Sequence, residues 1–363
     1  MNVVLHYLGE MGGVMLLALP PWLLLRTLWL LAKKQSPRWG RELLLAALAL
    51  TVLLFGSAYL AAGDGRAEEK RETEQAAEDG AVTLRVLDNG QVEDMTLEKY
   101  LQGVVRGEMP ASFEMEALKA QAAAERTYVY YQLAAGRKER HPEADVCTDH
   151  TCCSAFLSEQ AAREKWGGDY DPWEARIEQA VAETDGQTVL YGGKPILAVF
   201  HSSSAGKTAA AGQVWSGDLP YLQSVDSPES EETVPNYYSV VTFTAAEAKE
   251  KLLAARPGLK LEGTPEDWLG EVTEDASGRV ETAVIGGETW KGTEVRAAFG
   301  LRSACFAAEA QAESLTFYVT GYGHGVGMSQ YGANQLAREG KTWREILEWY
   351  YAGVTIGPYG GNA

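Results

Sequence analysis

One glutamate of this chain stands in a setting that suits proton transfer. Glu108 lies between Gly107 and Pro110, in a predicted turn just before a long helix. A carboxyl group held partly out of water there has a raised pKa, which suits a general acid working near neutral pH. On the residues alone, the alternative is a carboxylate that caps the following helix. Glu108 is therefore a candidate acid.

A serine-rich segment from Phe200 to Thr208 reads FHSSSAGKT. Ser202 and Ser204 stand close to His201, and this combination raises the hypothesis of nucleophilic catalysis. The segment lacks the nucleophile-elbow pattern, and His201 is too close in sequence to guarantee the geometry of a base. The pattern is more typical of a polar edge where a strand enters a loop.

A glycine-rich segment from Gly323 to Ala333 reads GHGVGMSQYGA. Its glycines around His324 allow close backbone approach, and the residues that follow predict entry into a helix. A glycine-rich run is weak evidence for phosphate binding, and this one lacks the lysine–serine ending of a nucleotide-binding loop. The sequence therefore does not predict a nucleotide site.

Cysteine and histidine cluster in one short loop, which contains His141, Cys147, Cys152 and Cys153, with His150 inside the set. Four Cys or His ligands from short loops are typical of a tetrahedral structural zinc site. The alternative is a disulfide, because the domain is expected outside the cytoplasm.

Two apolar runs precede the rest of the chain. Leu43–Ala62 is uncharged and has the roughly 20 residues needed to span a bilayer, whereas Met11–Ala32 contains two prolines and Arg26. The basic residues between the runs predict a cytoplasmic loop. Residues 1–62 are therefore a predicted membrane anchor with one or two transmembrane helices. The alternatives are a reading-frame extension ahead of a single anchor, or a cleaved signal peptide.

The remainder divides into a linker and one large domain. Residues 63–80 are charged and nearly devoid of large apolar side chains, which predicts a disordered acidic linker. Residues 81–356 mix helical and strand patterns without a strict alternation. This favours an α+β fold of mixed helices and antiparallel sheets around a substrate groove.

Several elements are predicted from local signals. Asp88-Asn89-Gly90 predicts a hairpin turn within Val82–Val92. A short helix is expected over Leu97–Val105, and Ser112 is the predicted N-cap of the long helix. The remaining predicted elements are strands at Thr188–Leu190, Ile196–Phe200, Val280–Ile285 and Leu315–Val319 and helices at Ala245–Ala255 and Trp343–Tyr351.

The formal net charge of −18 makes nucleic acid a poor partner. A carbohydrate ligand is compatible with this charge, since carbohydrates are bound mainly by hydrogen bonds and ring stacking. The chain has 10 Trp and 17 Tyr that suit such stacking.

Three motifs in order carry a resemblance to a known family. They are YLQGVVRGEMP from Tyr100 with EALKAQ and RTY after it, the serine-rich segment, and the glycine-rich segment. With Trp215, Pro220–Leu222 and the segment from Arg296 to Phe306, the chain from Thr83 to Gly353 resembles the sporulation protein D and amidase-enhancer domain family. The resemblance implies a membrane-anchored lytic transglycosylase that cuts peptidoglycan glycan strands during engulfment in sporulating bacteria.

The resemblance also implies partners and a location. A partner cell-wall amidase would remove the stem peptides first, and other engulfment membrane proteins would act beside it. The anchor would lie in the septal or engulfing cell membrane, with the soluble domain extracytoplasmic. A family member of another class, a non-enzymatic amidase enhancer that binds the wall, is the alternative.

Roles for individual residues follow from the same resemblance. Glu108 is the implied acid, and Arg126 is its implied partner, to orient Glu108 or to hold a substrate carboxylate or acetamido oxygen. The groove is expected to bind sugar through Ser202, Ser204, Lys207, Tyr221, His324, Ser329, Gln330 and Tyr331. Some relatives bind zinc in the loop of His141 and Cys147, which implies a structural zinc bound by His141, Cys147, Cys152 and Cys153, with His150 as a spare.

Two departures from the family pattern stand out. Glu125 replaces a small apolar residue, and as a second carboxylate beside Arg126 it would compete for the guanidinium or face solvent. Ala205 replaces a glycine, which disfavours a positive φ at that position.

Overall fold

The computed structural model describes residues 82–215 and 217–359, together with Trp29 and Lys33. The chain divides into two units, Met1–Gly80 and Ala81–Ala363. The predicted anchor and linker lie outside the described residues, apart from Trp29 and Lys33. None of the helices that the described residues form is both long and apolar enough to cross a membrane.

The described part of the second unit contains both kinds of element. Its helices are α1 (Leu97–Glu108), α2 (Met115–Ala135), α3 (Glu159–Trp166), α4 (Tyr170–Glu183), α5 (Ala211–Val214), α6 (Ala245–Ala255), α7 (Pro265–Trp268), α8 (Gly292–Phe299), α9 (Gln330–Arg338) and α10 (Trp343–Tyr350). Its strands are β1 (Thr83–Asp88), β2 (Gln91–Thr96), β3 (Val146–Cys147), β4 (Thr188–Tyr191), β5 (Lys194–Pro195), β6 (Phe200–His201), β7 (Tyr238–Thr244), β8 (Leu269–Glu274), β9 (Val280–Ile285), β10 (Glu288–Lys291), β11 (Phe306–Gln311), β12 (Ser314–Thr320), β13 (Met328–Ser329) and β14 (Thr355–Gly357).

Helix α2 is the centre of the larger core. It is rich in alanine and is buried on nearly every side over Ala117–Val129. Small side chains let α1, α4, α9 and α10 pack closely around it. The site residues of α1 and α9 are therefore held against one buried scaffold.

A smaller core lies in the segment 238–320. Two three-stranded sheets, in the orders β11-β12-β7 and β10-β9-β8, pack with helices α6 and α8. Phe299, Phe306 and Phe317 meet at its centre, with ring centroids 4.6–5.5 Å apart for the pairs that include Phe317. Most strand pairs are antiparallel, while β1–β3 and β6–β13 are parallel. The predicted α+β class with antiparallel sheets is confirmed.

Local signals predicted several elements well. The hairpin turns at Asn89 and Gly90, both with positive φ, and pairs Asp88 with Gln91. Two boundaries differ from prediction. Helix α1 continues to Glu108 rather than ending at Val105, and α2 begins after Glu114 rather than after Ser112. The predicted strand Ile196–Phe200 is also largely absent, since only β5 and the short β6 flank it.

Candidate functional site

Glu108 is the last residue of α1 and is half-buried. Its Oε1 accepts a hydrogen bond from the backbone N–H of Ala155 at 2.6 Å, and its carbonyl oxygen accepts one from Gln330 Nε2 at 3.0 Å. Burial raises the pKa of Glu108 above its ordinary value, and the Ala155 N–H opposes this only in part. The carboxyl group is thus held in one orientation and biased towards its protonated form.

Two glycines of α1 let the segment 154–157 lie directly on the helix. A Cβ at Gly107 would lie 2.4 Å from the carbonyl oxygen of Ala155, and one at Gly103 would overlap the ring of Phe156. Leu157 N–H also donates to the Gly103 carbonyl at 2.9 Å. The glycine spacing in the Glu108 motif therefore serves the close approach that brings the Ala155 N–H to the carboxyl group.

Glu125 of α2 is fully buried and lies close enough to Glu108 to be affected by its charge. Ser154 Oγ donates to its Oε2 at 2.9 Å, and Gln121 Nε2 lies 3.3 Å from its Oε1. Burial, with the charge of Glu108 as a smaller cause, raises the pKa of Glu125 to about 8. The expectation that Glu125 competes for Arg126 or faces solvent is wrong: it is a neutral, hydrogen-bonded group at pH 7.

The raised pKa of Glu125 predicts a pH-dependent effect of Glu125→Gln on stability. The folded state keeps a proton that the unfolded state releases above pH 4.5, so wild-type stability falls as pH rises from about 4.5 to about 8. Glutamine does not titrate and still offers Ser154 and Gln121 a donor and an acceptor. The variant should gain on wild type by about 1.4 kcal/mol per pH unit in that window, measured by denaturant unfolding of the full chain. A difference that stays constant from pH 5 to pH 8 contradicts the assignment.

Arg126 is turned away from Glu108. Its guanidinium donates to the carbonyl oxygens of Thr184 at 2.6 Å and Val181 at 3.0 Å, and to Thr184 Oγ1 at 3.1 Å. These are acceptors at the C-terminal end of α4, where helix carbonyls lack intrahelical partners. Neighbouring helix residues point about 100° apart, so Glu125 faces the site and Arg126 faces α4. In the described contacts Arg126 supports α4, and the structure does not bring it to Glu108 as expected.

The serine-rich segment does not form a serine–histidine pair. His201 is buried, and burial lowers its pKa to about 3. Its Nδ1 donates to the Val326 carbonyl at 3.2 Å, and its Nε2 has no partner among the described residues. With no serine on either ring nitrogen, the geometry gives the nucleophilic hypothesis no support.

Ser204 and Ser329 are directed inwards, onto a carboxylate that the sequence did not single out. The buried Glu229 accepts the backbone N–H and Oγ of Ser204 and the Oγ of Ser329 through its Oε1, each at 2.6 Å. Its Oε2 accepts the hydroxyl of Ser227. The prediction that Ser204 and Ser329 face sugar is corrected: their hydroxyls join three segments of the fold around Glu229.

Tyr221 and Lys207 are also engaged within the protein. Tyr221 is buried, and its hydroxyl accepts the N–H of Leu197 at 3.1 Å. Lys207 is exposed and lies 3.4 Å from Asp226. Neither residue is placed as the groove contact that was expected: Tyr221 is a buried structural residue, and Lys207 belongs to a solvent-exposed ion pair.

The glycine-rich segment contacts Glu108. Gln330 at the start of α9 holds the end of α1, and the ring of Tyr331 packs edge-on against Phe113 at 4.9 Å. The Tyr331 N–H donates to the carbonyl of Ser202 at 3.1 Å. Gln330 is buried, so its amide supports the end of α1 from inside the fold, whereas the side chains of Tyr331 and Ser202 are half-buried.

His324 lies further along the same segment. It is half-buried with its ring 5.3 Å from that of Trp215, and its Nδ1 accepts the N–H of Val326 at 3.1 Å. This tautomer leaves Nε2 able to donate a hydrogen bond.

A cleft of about 440 Å³ opens at Glu108. It is lined by residues 106–112 from the end of α1 and the turn after it, and by Lys165, Trp166 and Trp173. Sequence reasoning missed the latter three, because nothing in their spacing ties α3 and α4 to α1.

The four predicted metal ligands converge. One candidate ligand atom from each of His141, Cys147, Cys152 and Cys153 lies within 4.8 Å of the others, and all four cysteines of the chain are unpaired. The Nδ1 of His141 donates to the Ala144 carbonyl at 3.0 Å, which leaves Nε2 facing Cys153 at 3.5 Å. That arrangement is typical of a metal-binding histidine. The donor set fits a tetrahedral ion.

Comparison with known proteins defines the class first. A family model described as stage II sporulation protein matches residues 88–191, which include Glu108 and the four candidate metal ligands. The class is therefore that of the stage II sporulation proteins.

Similarity over about three quarters of the chain then identifies the particular family. The chain is 41% identical over 269 residues to stage II sporulation protein D of Bacillus subtilis (strain 168), covering 74% of this chain and 76% of that protein. Identity to the Bacillus amyloliquefaciens protein of the same name is 40% over the same shares. The chain belongs to the stage II sporulation protein D family. It is also 27% identical to the amidase enhancer of Bacillus subtilis, covering 71% of this chain and 40% of that protein.

Proposed function

We propose that this protein is a lytic transglycosylase that cuts peptidoglycan glycan strands stripped of their stem peptides. The observation that carries the proposal is a single half-buried carboxyl group, of raised pKa and fixed orientation, at the edge of an aromatic cleft. The family supplies the setting of sporulation, and the likeness to an amidase enhancer supports a role at the cell wall.

The proposed reaction needs only one carboxyl group. Glu108 protonates the glycosidic oxygen as the bond from that oxygen to the anomeric carbon breaks. The 6-hydroxyl of the same muramoyl residue then bonds to the anomeric carbon, and its proton passes to the Glu108 carboxylate. Because Ala155 N–H occupies Oε1, the other oxygen is left to carry the proton. Glu125 does not act as the second carboxylate of a glycoside hydrolase, since both its oxygens are engaged and buried.

The decisive test is to incubate the full chain with peptide-free glycan strands and analyse the products by mass spectrometry. The proposal expects fragments that end in 1,6-anhydromuramoyl residues. If no such fragment forms and the protein instead accelerates a cell-wall amidase, the second candidate is correct. That candidate is a non-enzymatic wall-binding enhancer, and it is favoured by the 27% identity to the amidase enhancer.

The proposed setting follows from the predicted anchor. Residues 1–62 would hold the protein in the cell membrane, with residues 81–356 extracytoplasmic at the septal or engulfing membrane. There it would act on strands prepared by a partner amidase and alongside other engulfment membrane proteins.

We also propose that the four converging ligands hold a structural zinc ion. His141 Nε2 and the sulfurs of Cys147, Cys152 and Cys153 would bind it, and its chemistry there is to cross-link the loop. The loop continues directly into Ser154 and Ala155, which contact Glu125 and Glu108. The site therefore belongs to the support of the acid rather than to the reaction.

Metal analysis tests this assignment. The purified chain is expected to contain about one zinc per molecule and to lose thermal stability when a chelator removes it, because structural zinc contributes directly to folding. Cys147→Ser should abolish the bound zinc, whereas Cys305→Ser, at a buried cysteine outside the cluster, should leave it in place. A Cys147–Cys153 disulfide found by mass spectrometry would overturn the assignment.

A further inference from the structure

The cleft at Glu108 contains two tryptophans that no motif of the chain assigns. The rings of Trp166 and Trp173 lie 5.5 Å apart and nearly perpendicular, at 83°. Both side chains are half-buried, so each keeps part of its surface open to the cleft. Aromatic side chains of this kind bury a large apolar area while a polar rim stays wet.

Local structure and an ion pair position these two tryptophans. Trp166 ends α3 and Trp173 lies in the first turns of α4, and the short turn between them includes Gly167 with φ of +55°. Glu174, the next residue of α4, forms a bidentate pair with Arg106 of α1 at 2.7 and 2.5 Å. Because this ion pair joins α4 to α1, Trp173 has a defined position relative to the end of α1, where Glu108 lies.

Lys165 supplies a positive charge to the cleft lining. Lys165 is exposed and lines the cleft, and it forms no ion pair with another described residue. The other cation of the lining, Arg106, is neutralised by Glu174. A chain of net charge −18 repels anions in general, so an unneutralised ammonium group beside the acid is a local exception.

We propose that Lys165, Trp166 and Trp173 form a subsite for a muramoyl residue whose lactyl carboxylate is free. The tryptophan faces bind the apolar C–H face of the pyranose ring, and the Lys165 ammonium pairs with the carboxylate. In an intact strand that carboxylate is replaced by a neutral amide bond, which carries the bulky stem peptide. Through this one charge, the subsite binds strands without the peptide more tightly than strands that carry it. It rests on the proposed function, whose substrate it specifies.

Binding to two chemically matched strands tests the subsite without turnover. One preparation is peptide-free glycan with free lactyl carboxylates, and the other is the same glycan with those carboxylates converted to methylamides. Affinity is measured by tryptophan fluorescence with the full chain carrying Glu108→Gln. We expect the carboxylate strand to bind roughly 2- to 5-fold more tightly, the upper part of the range measured for exposed ion pairs.

Variants at the lysine locate the effect. Lys165→Gln should remove the preference, Lys165→Arg should keep it, and Lys194→Gln, at an exposed lysine outside the cleft lining, should leave it unchanged. With Glu108 intact, Lys165→Gln should raise KM for carboxylate strands and leave kcat nearly unchanged.

The outcomes separate the subsite from the proposed function. Equal affinity for the two strands, or a preference that survives Lys165→Gln, overturns the subsite even if anhydromuramoyl products form. If neither strand binds and no product forms, the subsite and the transglycosylase proposal fail together. A preference that follows Lys165 in a protein that makes no product supports the subsite while contradicting the reaction.

Discussion

Glu108→Gln is expected to slow strand cleavage by about 10²- to 10⁴-fold, the usual contribution of a general acid. Glutamine keeps the size of the side chain, and its carbonyl oxygen can still accept the Ala155 N–H. It has no proton of suitable acidity for the leaving oxygen. The fold should therefore persist while the cleavage reaction is lost. The rate at which anhydromuramoyl products form measures this loss.

A neighbouring carboxylate supplies the matched control. Glu114 is exposed just before α2, and Glu114→Gln should leave the rate within twofold of wild type. The pH profile gives an independent check on the acid. Because Glu108 must be protonated to act and burial raises its pKa, wild-type activity should fall as pH rises through that raised value. A rate that Glu108→Gln does not lower contradicts the role given to Glu108.

Glu108 could be singled out as a candidate from sequence because the motif that contains it is local, although it ends α1 rather than lying in the predicted turn. The Gly107 and Pro110 flanks, the turn at Asn89 and the histidine and cysteine spacing each involve neighbours along the chain. The environment of Glu108 is different in kind. Ala155, Gln330 and Trp173 reach it from distant segments, and no local pattern encodes those approaches.

Arg126 and Glu125 show the same limit within a single helix. Both are buried in α2, yet one faces the end of α4 and the other faces the site. Periodicity predicted that this stretch is helical. The direction of each side chain depends on the rotation of α2 against α1 and α4, which tertiary packing decides. Resemblance assigned Arg126 to the acid, and the hydrogen bonds assign it to the neighbouring helix.

The serines illustrate why polar motifs are easily assigned to ligands. Ser204 and Ser329 belong to segments that look like binding loops, and both hydroxyls are used by a carboxylate from a third segment. Glu229 stands in an acidic stretch that reads as solvated surface, SPESEE. Only the fold reveals that this one glutamate of the stretch is 3% exposed while Glu231 is open to solvent.

Glu229→Ala is accordingly expected to destabilise the fold by about 3–5 kcal/mol. The substitution leaves three serine hydroxyls and the Ser204 N–H without their acceptor and opens a cavity among buried residues. Ser227 also contacts the buried Tyr350 hydroxyl at 2.7 Å, so the loss extends to α10. Denaturant unfolding of the full chain measures the change in free energy.

Glu231→Ala is the control, since it removes the same group from an exposed site of the same segment and should not change stability measurably. If Ser204 and Ser329 instead served mainly to bind sugar, Glu229→Ala would weaken glycan binding at little cost in unfolding free energy. The structural role predicts a large loss of unfolding free energy, whereas the sugar-binding role predicts a loss of glycan affinity with little change in unfolding free energy. Because four donors converge on one buried carboxylate, we expect the large loss in unfolding free energy, with any loss of binding following from unfolding of the loops.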